Sequence, residues 1–115
     1  MFTKRRIYDP KEPAEKYTVF VDRLWPRGIS KEQANWDEWM KEISPSEELR
    51  KWFGHDPNKW LQFCKKYKEE LSGKQNELTR LAELQKKYGT ITLLFAAKDT
   101  ERNNATVLKE YLESF

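Results

Sequence analysis

The stretch Thr-Ile-Thr-Leu-Leu-Phe-Ala-Ala at residues 90–97 decides the fold class of this 115-residue chain. Only its two threonines are polar, and both lie within its first three residues. A strand that is apolar on both faces is typical of a parallel sheet with cover on each side, whereas a half-exposed strand alternates apolar and polar residues. The stretch therefore predicts a buried central strand of a parallel sheet.

Two more strands are predicted nearer the N-terminus. Residues 17–21 (Tyr-Thr-Val-Phe-Val) are β-branched and aromatic, and the turn residues 25–28 (Trp-Pro-Arg-Gly) follow soon after them. Residues 2–8 also read as a short strand, and their basic character fits the edge of a sheet. A connector with two prolines, residues 9–16, separates the two strands.

Five helices are predicted from start signals, apolar residues at helical spacing and glycine stops. The first covers residues 30–43 and is opened by the capping box of Ser30 and Gln33, and the second is a short helix opened by Ser44 and ended by Gly54. The third is opened by Asp56 and ended by Gly73. The fourth covers about residues 75–88 and is ended by Gly89, and the last begins at about Thr100.

The order strand, helices, strand, helix indicates the α/β class. We expect a small single domain, residues 1–115, with a short, mainly parallel sheet of about three strands covered by about five helices. A chain of this length buries roughly two-thirds of its unfolded surface, enough for one core. Five Trp, five Tyr and six Phe supply core area that an apolar fraction of 37% alone does not suggest.

Composition excludes several classes of function. The net charge of +3 is compatible with nucleic-acid binding and does not imply it. A single cysteine, Cys64, and a single histidine, His55, leave no internal disulfide and no ordinary zinc site, so neither a metal nor a cofactor is expected. No apolar run approaches the roughly 20 residues of a membrane span, and no secretory signal follows the basic N-terminus, which predicts a cytoplasmic protein.

A ligand site is predicted outside the carboxyl ends of the strands, where open α/β sheets bind their ligands. Two loops leave those ends, residues 22–28 and 98–104, and they share one rim if their strands are adjacent and parallel. Arginine forks beside the start of a helix suit an anion. The candidate residues are Asp22, Arg23, Trp25, Arg27, Lys98, Asp99, Arg102, Asn103 and Asn104, with His55 added from a junction between helices.

Each of these candidates also has a purely structural interpretation. Asp22 can pair with a neighbouring arginine or lysine, and Asn103 can satisfy backbone groups. Trp25 can pack beneath its turn instead of stacking on a ligand, and His55 can bond backbone groups between two helices. Cys64 lies within an apolar helical stripe, which predicts packing and not reactivity.

Four segments carry a resemblance to a known family. They are residues 21–28 (VDRLWPRG), 37–39 (DEW), 49–57 (LRKWFGHDP) and 92–99 (TLLFAAKD), the last followed by Asn103 and Asn104. With these segments the chain resembles the YeaO-like bacterial proteins, a clade of the domain-of-unknown-function 488 superfamily, over about residues 4–112. The resemblance implies a small α/β fold and assigns no activity.

Other members of that superfamily carry a Cys and a Glu at the end of the last strand and a Cys-His-Arg triplet opening the last helix. Those residues look like a reactive or nucleic-acid-processing site. The matching positions here are Phe95, Ala97, Asn103, Asn104 and Ala105. None of these side chains can serve as a thiolate nucleophile or a titrating base. The resemblance therefore implies a chain that keeps the pocket, with its Asp-Arg pair at residues 22–23, and lacks that chemistry.

Three functions follow from these observations. The first is a non-catalytic binding module for an anion, either nucleic acid or a phosphorylated small molecule, and we place it first because no nucleophile remains. The second is an enzyme with an altered site. In that case Asp22 or Asp99 would act as the base, Arg23 and Arg27 would hold the substrate, and His55 would shuttle protons. The third is a protein-interaction adapter, since many aromatic residues can form an exposed patch.

Overall fold

The structure, a computed structural model, describes residues 1–114. Four strands form one sheet: β1 (Phe2–Arg6), β2 (Tyr17–Phe20), β3 (Glu38–Trp39) and β4 (Ile91–Phe95). Their order across the sheet is β1-β4-β2-β3, and every pairing is parallel. The prediction of a parallel sheet is confirmed, with one strand more than expected. All five residues of β4 are buried, as the apolar stretch requires.

The N-terminal strand lies at the edge of the sheet, as its basic sequence predicted. It pairs with β4 in a register that sets Phe2 opposite Ile91. Arg5 is nevertheless buried, at 8% exposure, and its Nε atom lies 2.7 Å from the Glu15 carboxylate. Its Nη1 atom also donates to the carbonyl oxygen of Asp9. The connector after β1 thus folds back and neutralises the charge that the strand brings into the sheet.

Four α-helices follow, α1 (Glu47–Phe53), α2 (Trp60–Leu71), α3 (Gln75–Tyr88) and α4 (Asn104–Glu113). Single 3-10 turns at Lys41–Ile43 and Pro57–Lys59 precede α1 and α2. The bounds of α3 match the prediction. Ser46, and not Ser44, caps α1 by accepting a hydrogen bond from the Leu49 N–H at 3.1 Å. The last helix begins at Asn104, later than expected, because Asn103 is its cap.

The helix predicted over residues 30–43 was wrong. The reciprocal bonds between Ser30 and Gln33 do form, at 2.9 and 3.2 Å, but they close only a turn. The chain then extends, and β3 pairs in parallel with the end of β2. Trp36 and Trp39 pack against the ring of Phe20, with centroids 5.1 and 6.0 Å away. Tertiary contacts therefore outweigh a local helical pattern.

The two faces of the sheet have different cover. All four helices contribute side chains to the larger core, which includes Val19 and Leu93 of the sheet. The smaller core lies on the other face, around Phe20 and Leu94, and contains no residue of α1 to α4 within the described residues. Loop residues cover it, among them Ile29, Trp36 and Ile7. In residues 1–114, none of the helices has the length and apolar character to span a membrane.

Candidate functional site

The carboxyl ends of β2 and β4 border a cavity of about 780 Å³. The two strands are adjacent and parallel, as the predicted site required, so the loops that follow them meet at one edge of the sheet. The cavity brings together nine of the ten candidate residues, and Arg102 lies outside its lining. The nine are Asp22, Arg23, Trp25, Arg27, His55, Lys98, Asp99, Asn103 and Asn104.

Asp22 follows β2 and lies at the junction of the two loops. One carboxylate oxygen accepts the Ala96 N–H at 3.0 Å, and the other accepts Asn104 Nδ2 at 3.1 Å. Burial raises the pKa of Asp22, while these two donors and the nearby His55 act in the opposite direction. Asp22 takes part in none of the ion pairs formed among residues 1–114, so it pairs with none of the cavity's arginines.

The two asparagines fasten the loop after β4. Asn103 caps α4, because its Oδ1 accepts the Thr106 N–H at 3.0 Å, and its Nδ2 donates to the carbonyl oxygen of Asp99 at 2.9 Å. Asn104 donates to the carbonyl oxygen of Val21 at 3.0 Å and to Asp22. Their amides therefore make the backbone contacts of the structural interpretation, and they hold the carboxyl ends of β2 and β4 together.

Asp99 and Arg102 stabilise the same loop. Asp99 Oδ1 accepts the backbone N–H groups of Glu101 and Arg102, both at 2.9 Å. These two bonds lower the pKa of Asp99, which makes it a poor base. Arg102 also lies 3.6 Å from the Asp99 carboxylate, and its position outside the cavity lining leaves it as a partner of that loop.

Four cationic side chains of the lining have no carboxylate partner in the described part of the chain: Arg6, Arg23, Arg27 and Lys98. Half-buried Arg23 donates through Nε to the carbonyl oxygen of Pro45 at 3.2 Å. Arg6 donates to the carbonyl oxygen of Ala97 at 3.0 Å. Both bonds use Nε and leave the outer guanidinium nitrogens available. Arginine and lysine outnumber aspartate in the lining, so the cavity has an excess of positive charge.

Sequence reasoning missed Arg6, together with Arg50, Phe53 and Tyr8, which also line the cavity. Arg6 ends β1, and its place at the rim follows only once that strand is known to run parallel to β4. The sequence of this short basic strand does not specify that direction, so it held no signal that could have found Arg6. Arg50 and Phe53 lie on α1, and the packing of that helix cannot be read from the loops.

Trp25 combines packing with exposure at the cavity. Its ring meets Trp36 and Trp39 edge-on, with centroids 5.0 and 5.7 Å away, and its Nε1 donates to the carbonyl oxygen of Ile29. It is still 39% exposed. The structural interpretation of Trp25 and its role in the cavity lining are therefore both compatible with its position.

His55 stands at the rim in a rare backbone conformation. Its φ of 58° makes it the only non-glycine residue among those described with positive φ, and it follows Gly54 at 53°. Its ring centroid lies 6.1 Å from that of Phe53. Across residues 1–114 its imidazole forms no hydrogen bond, so the backbone bonds expected of it are absent. The His55 side chain is exposed and lines the cavity.

The lining offers no activated nucleophile. The Ser44 hydroxyl donates to the carbonyl oxygen of Lys41, and Cys64 lies away from the cavity with the pKa of its thiol raised by burial. Phe95 is buried, while Ala97 and the asparagines line the cavity. No group of three His, Cys, Asp or Glu side chains in the described residues is placed to hold a metal. The site can bind by charge, hydrogen bonds and apolar contact.

These features define a small parallel α/β domain with a cavity at the carboxyl ends of its strands that is lined by cationic, polar and apolar side chains. The chain belongs to the family described as the inactive DUF488-N3 subclade, whose model matches residues 1–115. This confirms the resemblance seen in the sequence.

Two relatives show the extent of the similarity. The chain is 46% identical over 110 residues to the uncharacterized protein YeaO of Escherichia coli. This match covers 96% of the chain and 95% of the relative. It is 37% identical over 109 residues to the uncharacterized protein Rv3073c of Mycobacterium tuberculosis, with 93% and 89% covered. No solved structure matches the chain significantly.

Proposed function

We propose that this protein is a non-catalytic binding module for an anionic ligand, either nucleic acid or a phosphorylated small molecule. The observation that supports this function is the set of four cations in one cavity, Arg6, Arg23, Arg27 and Lys98, without a carboxylate partner in residues 1–114. The ligand lies at the carboxyl ends of the strands, and no cofactor takes part.

The cavity strengthens the attraction of these cations for an anion. Charges in a concave site with apolar walls are screened less than charges on an open surface, so they attract an anion more strongly. The guanidinium fork of Arg23 matches the oxygen spacing of a phosphate group. Phe53 and Phe63 supply apolar wall in the same cavity. Charge and surroundings therefore favour the same class of ligand.

The hydrogen bonds of Asp22 keep this charge available. Each of its carboxylate oxygens accepts one hydrogen bond, one from Ala96 N–H and the other from Asn104 Nδ2. These bonds fix the carboxylate in an orientation that makes no ion pair with the arginines within residues 1–114. We place the function in the cytoplasm, where the unpaired Cys64 stays reduced.

The tests are fluorescence anisotropy of labelled single-stranded and duplex oligonucleotides and isothermal titration calorimetry of inorganic pyrophosphate, each at low and near-physiological salt. The variant is Arg23→Ala with Arg27→Ala, in which binding of the anion that the site takes should weaken about tenfold or more. The matched control is Lys65→Ala with Lys86→Ala, which removes the same charge from exposed positions outside the cavity. This control should bind within about twofold of the unmodified protein.

Two results contradict the proposal. One is the absence of binding by every probe at low salt, where even non-specific electrostatic attraction shows. The other is an equal loss in the cavity variant and the lysine control, because binding would then follow net charge and not the site. Near-ultraviolet circular dichroism of each variant shows whether it keeps the native packing.

A further inference from the structure

Exposed apolar side chains gather at the same cavity. Five large apolar side chains are exposed in the described residues, and three of them, Tyr8, Leu24 and Trp25, line the cavity. Their exposed fractions are 40%, 56% and 39%. Clustered exposed apolar surface is commonly a binding surface, whereas isolated apolar residues are not. The cavity thus joins an apolar rim to its unpaired cations.

Two aromatic residues of the rim, Trp25 and Tyr8, are held in place before any ligand arrives. Trp25 is fixed by its bond to the carbonyl oxygen of Ile29 and by two edge contacts with other tryptophans. The Tyr8 hydroxyl donates to the carbonyl oxygen of Arg27 at 2.8 Å, and the Arg6 guanidinium lies 4.6 Å from the Tyr8 ring centroid. Rigid aromatic rings lose little conformational entropy on binding. Trp25, Tyr8 and Arg6 therefore form a preorganised part of the cavity wall.

Asp22 adds an acceptor to this wall. Each of its oxygens accepts one hydrogen bond from the protein, and an ionised carboxylate has about four acceptor positions. The positions that remain suit a hydroxyl or amino group, and they repel a phosphate. A ligand that carries a hydrogen-bond donor as well as a phosphate has its donor on Asp22 and its phosphate at the arginines.

The dimensions favour a small molecule over a polymer. The cavity volume of about 780 Å³ falls within the range of about 300–1,000 Å³ for small-molecule sites. A single-stranded polymer is instead held along a charged groove that follows its backbone. Here the unpaired cations of the site lie in one cavity.

Resting on the proposed function, we infer that the ligand is a small phosphate ester that carries a planar ring and a hydrogen-bond donor, as a nucleoside 5′-monophosphate does. Its phosphate lies at Arg23, Arg27 and Lys98. Its ring packs on the rim of Leu24 and Trp25, and its donor binds Asp22.

Isothermal titration calorimetry of the full chain tests this assignment with four kinds of probe. They are inorganic phosphate, ribose 5-phosphate, the four ribonucleoside 5′-monophosphates and a single-stranded oligonucleotide. We expect at least one monophosphate to bind about tenfold more tightly than ribose 5-phosphate, because burial of the ring contributes binding free energy.

The variant Leu24→Ala isolates the ring contact, since Leu24 is exposed and its loss does not threaten the core. We expect it to weaken binding of the monophosphate about threefold or more, and to leave binding of inorganic phosphate unchanged. The matched control is Leu61→Ala, which removes the same side chain at 83% exposure outside the cavity and should change neither affinity.

The outcomes separate this inference from the proposed function. Equal affinity for phosphate, ribose 5-phosphate and every monophosphate overturns the assignment of a ring and leaves anion binding standing. Tighter binding of the oligonucleotide than of any monophosphate, with no effect of Leu24→Ala, overturns the small-molecule assignment. A failure of all probes to bind overturns both.

Discussion

The carboxyl group of Asp22 is subject to opposing effects on its pKa. Burial favours the neutral acid and is the larger effect, whereas the donors Asn104 and Ala96 favour the carboxylate. The net result is a pKa raised above the ordinary 3.8, so the folded state binds this proton more tightly than the unfolded chain. Stability therefore falls as the pH rises from the unfolded value through the raised folded value.

The variant Asn104→Ala tests this balance. It removes one donor from the carboxylate while burial remains, so the pKa of Asp22 should rise further. The loss also leaves the carbonyl of Val21 without its partner amide, which costs about 1–3 kcal/mol of unfolding free energy. Carboxyl-carbon NMR over a pH series measures the midpoint, with exposed Asn76→Ala as the control. A midpoint equal to or below that of the unmodified protein would show that Asn104 does not favour the carboxylate.

At the scale of elements, the two-residue strand β3 depends on side chains as well as on its ladder. Glu38 accepts hydrogen bonds from Arg80 of α3 at 2.8 Å and from the Tyr17 hydroxyl of β2 at 3.0 Å. The Thr18 backbone N–H and hydroxyl also donate to the carboxylate of Asp37, at 2.9 and 3.1 Å. A strand too short to be stable alone is thus fixed between a helix and its neighbouring strand.

The variant Arg80→Ala should release the pKa of Glu38. The Arg80 hydrogen bond is the largest cause of its lowered pKa, so the midpoint should move up toward the ordinary 4.5. A lowered folded-state pKa stabilises the fold above the unfolded value, and that contribution disappears as the pH falls through the folded value. Urea unfolding should therefore show a small loss at neutral pH that vanishes in acid. The control Lys86→Ala should show no such pH dependence, and a loss that persists in acid would contradict the assignment.

The predictability of the elements depended on whether local and tertiary signals agreed. For α3 they agreed, because Leu81 and Leu84 are buried at helical spacing and Gly89 ends the helix with a φ of 83°. For residues 30–43 they disagreed. The capping box was real, but Trp36 belongs to a loop that covers Phe20, and Trp39 belongs to a strand. Trp36 and Trp39 thus pack against the same residue, Phe20, although the chain between them is not helical.

The site was predictable where the sheet itself determined it. Loops that follow two adjacent parallel strands lie at one edge of the sheet, so the sequence could place Asp22 and Lys98 together on the condition that β2 and β4 are neighbours, and they are. Arg6 needed the direction of β1, which a short basic strand does not specify. Arg50 needed the packing of α1 against the rest of the domain, and that packing depends on contacts between residues distant in sequence.

At the scale of the whole molecule, the two cores share one sheet. Phe20 and Leu94 face the smaller core, while Val19 and Leu93 of the same strands face the larger one. Ile7 extends β1 by one more bond, from its N–H to the carbonyl oxygen of Phe95 at 2.7 Å. Its buried side chain belongs to the smaller core. Loss of order on either face therefore removes support from the other.

The variant Ile7→Ala tests this coupling. It should lower the free energy of unfolding by about 2–5 kcal/mol, through lost burial and a residual cavity. The described helices all contribute to the larger core, so far-ultraviolet circular dichroism reports on that side of the sheet. The fluorescence of Trp36, in a variant whose other tryptophans are replaced by phenylalanine, reports on the smaller core. Because one sheet carries both cores, the two probes should give coincident urea transitions in the protein with Trp36 as its single tryptophan and in the Ile7→Ala variant of that protein. Exposed Lys11→Ala is the control and should leave the midpoint unchanged. A tryptophan transition at lower urea than the helical one would show that the smaller core unfolds alone.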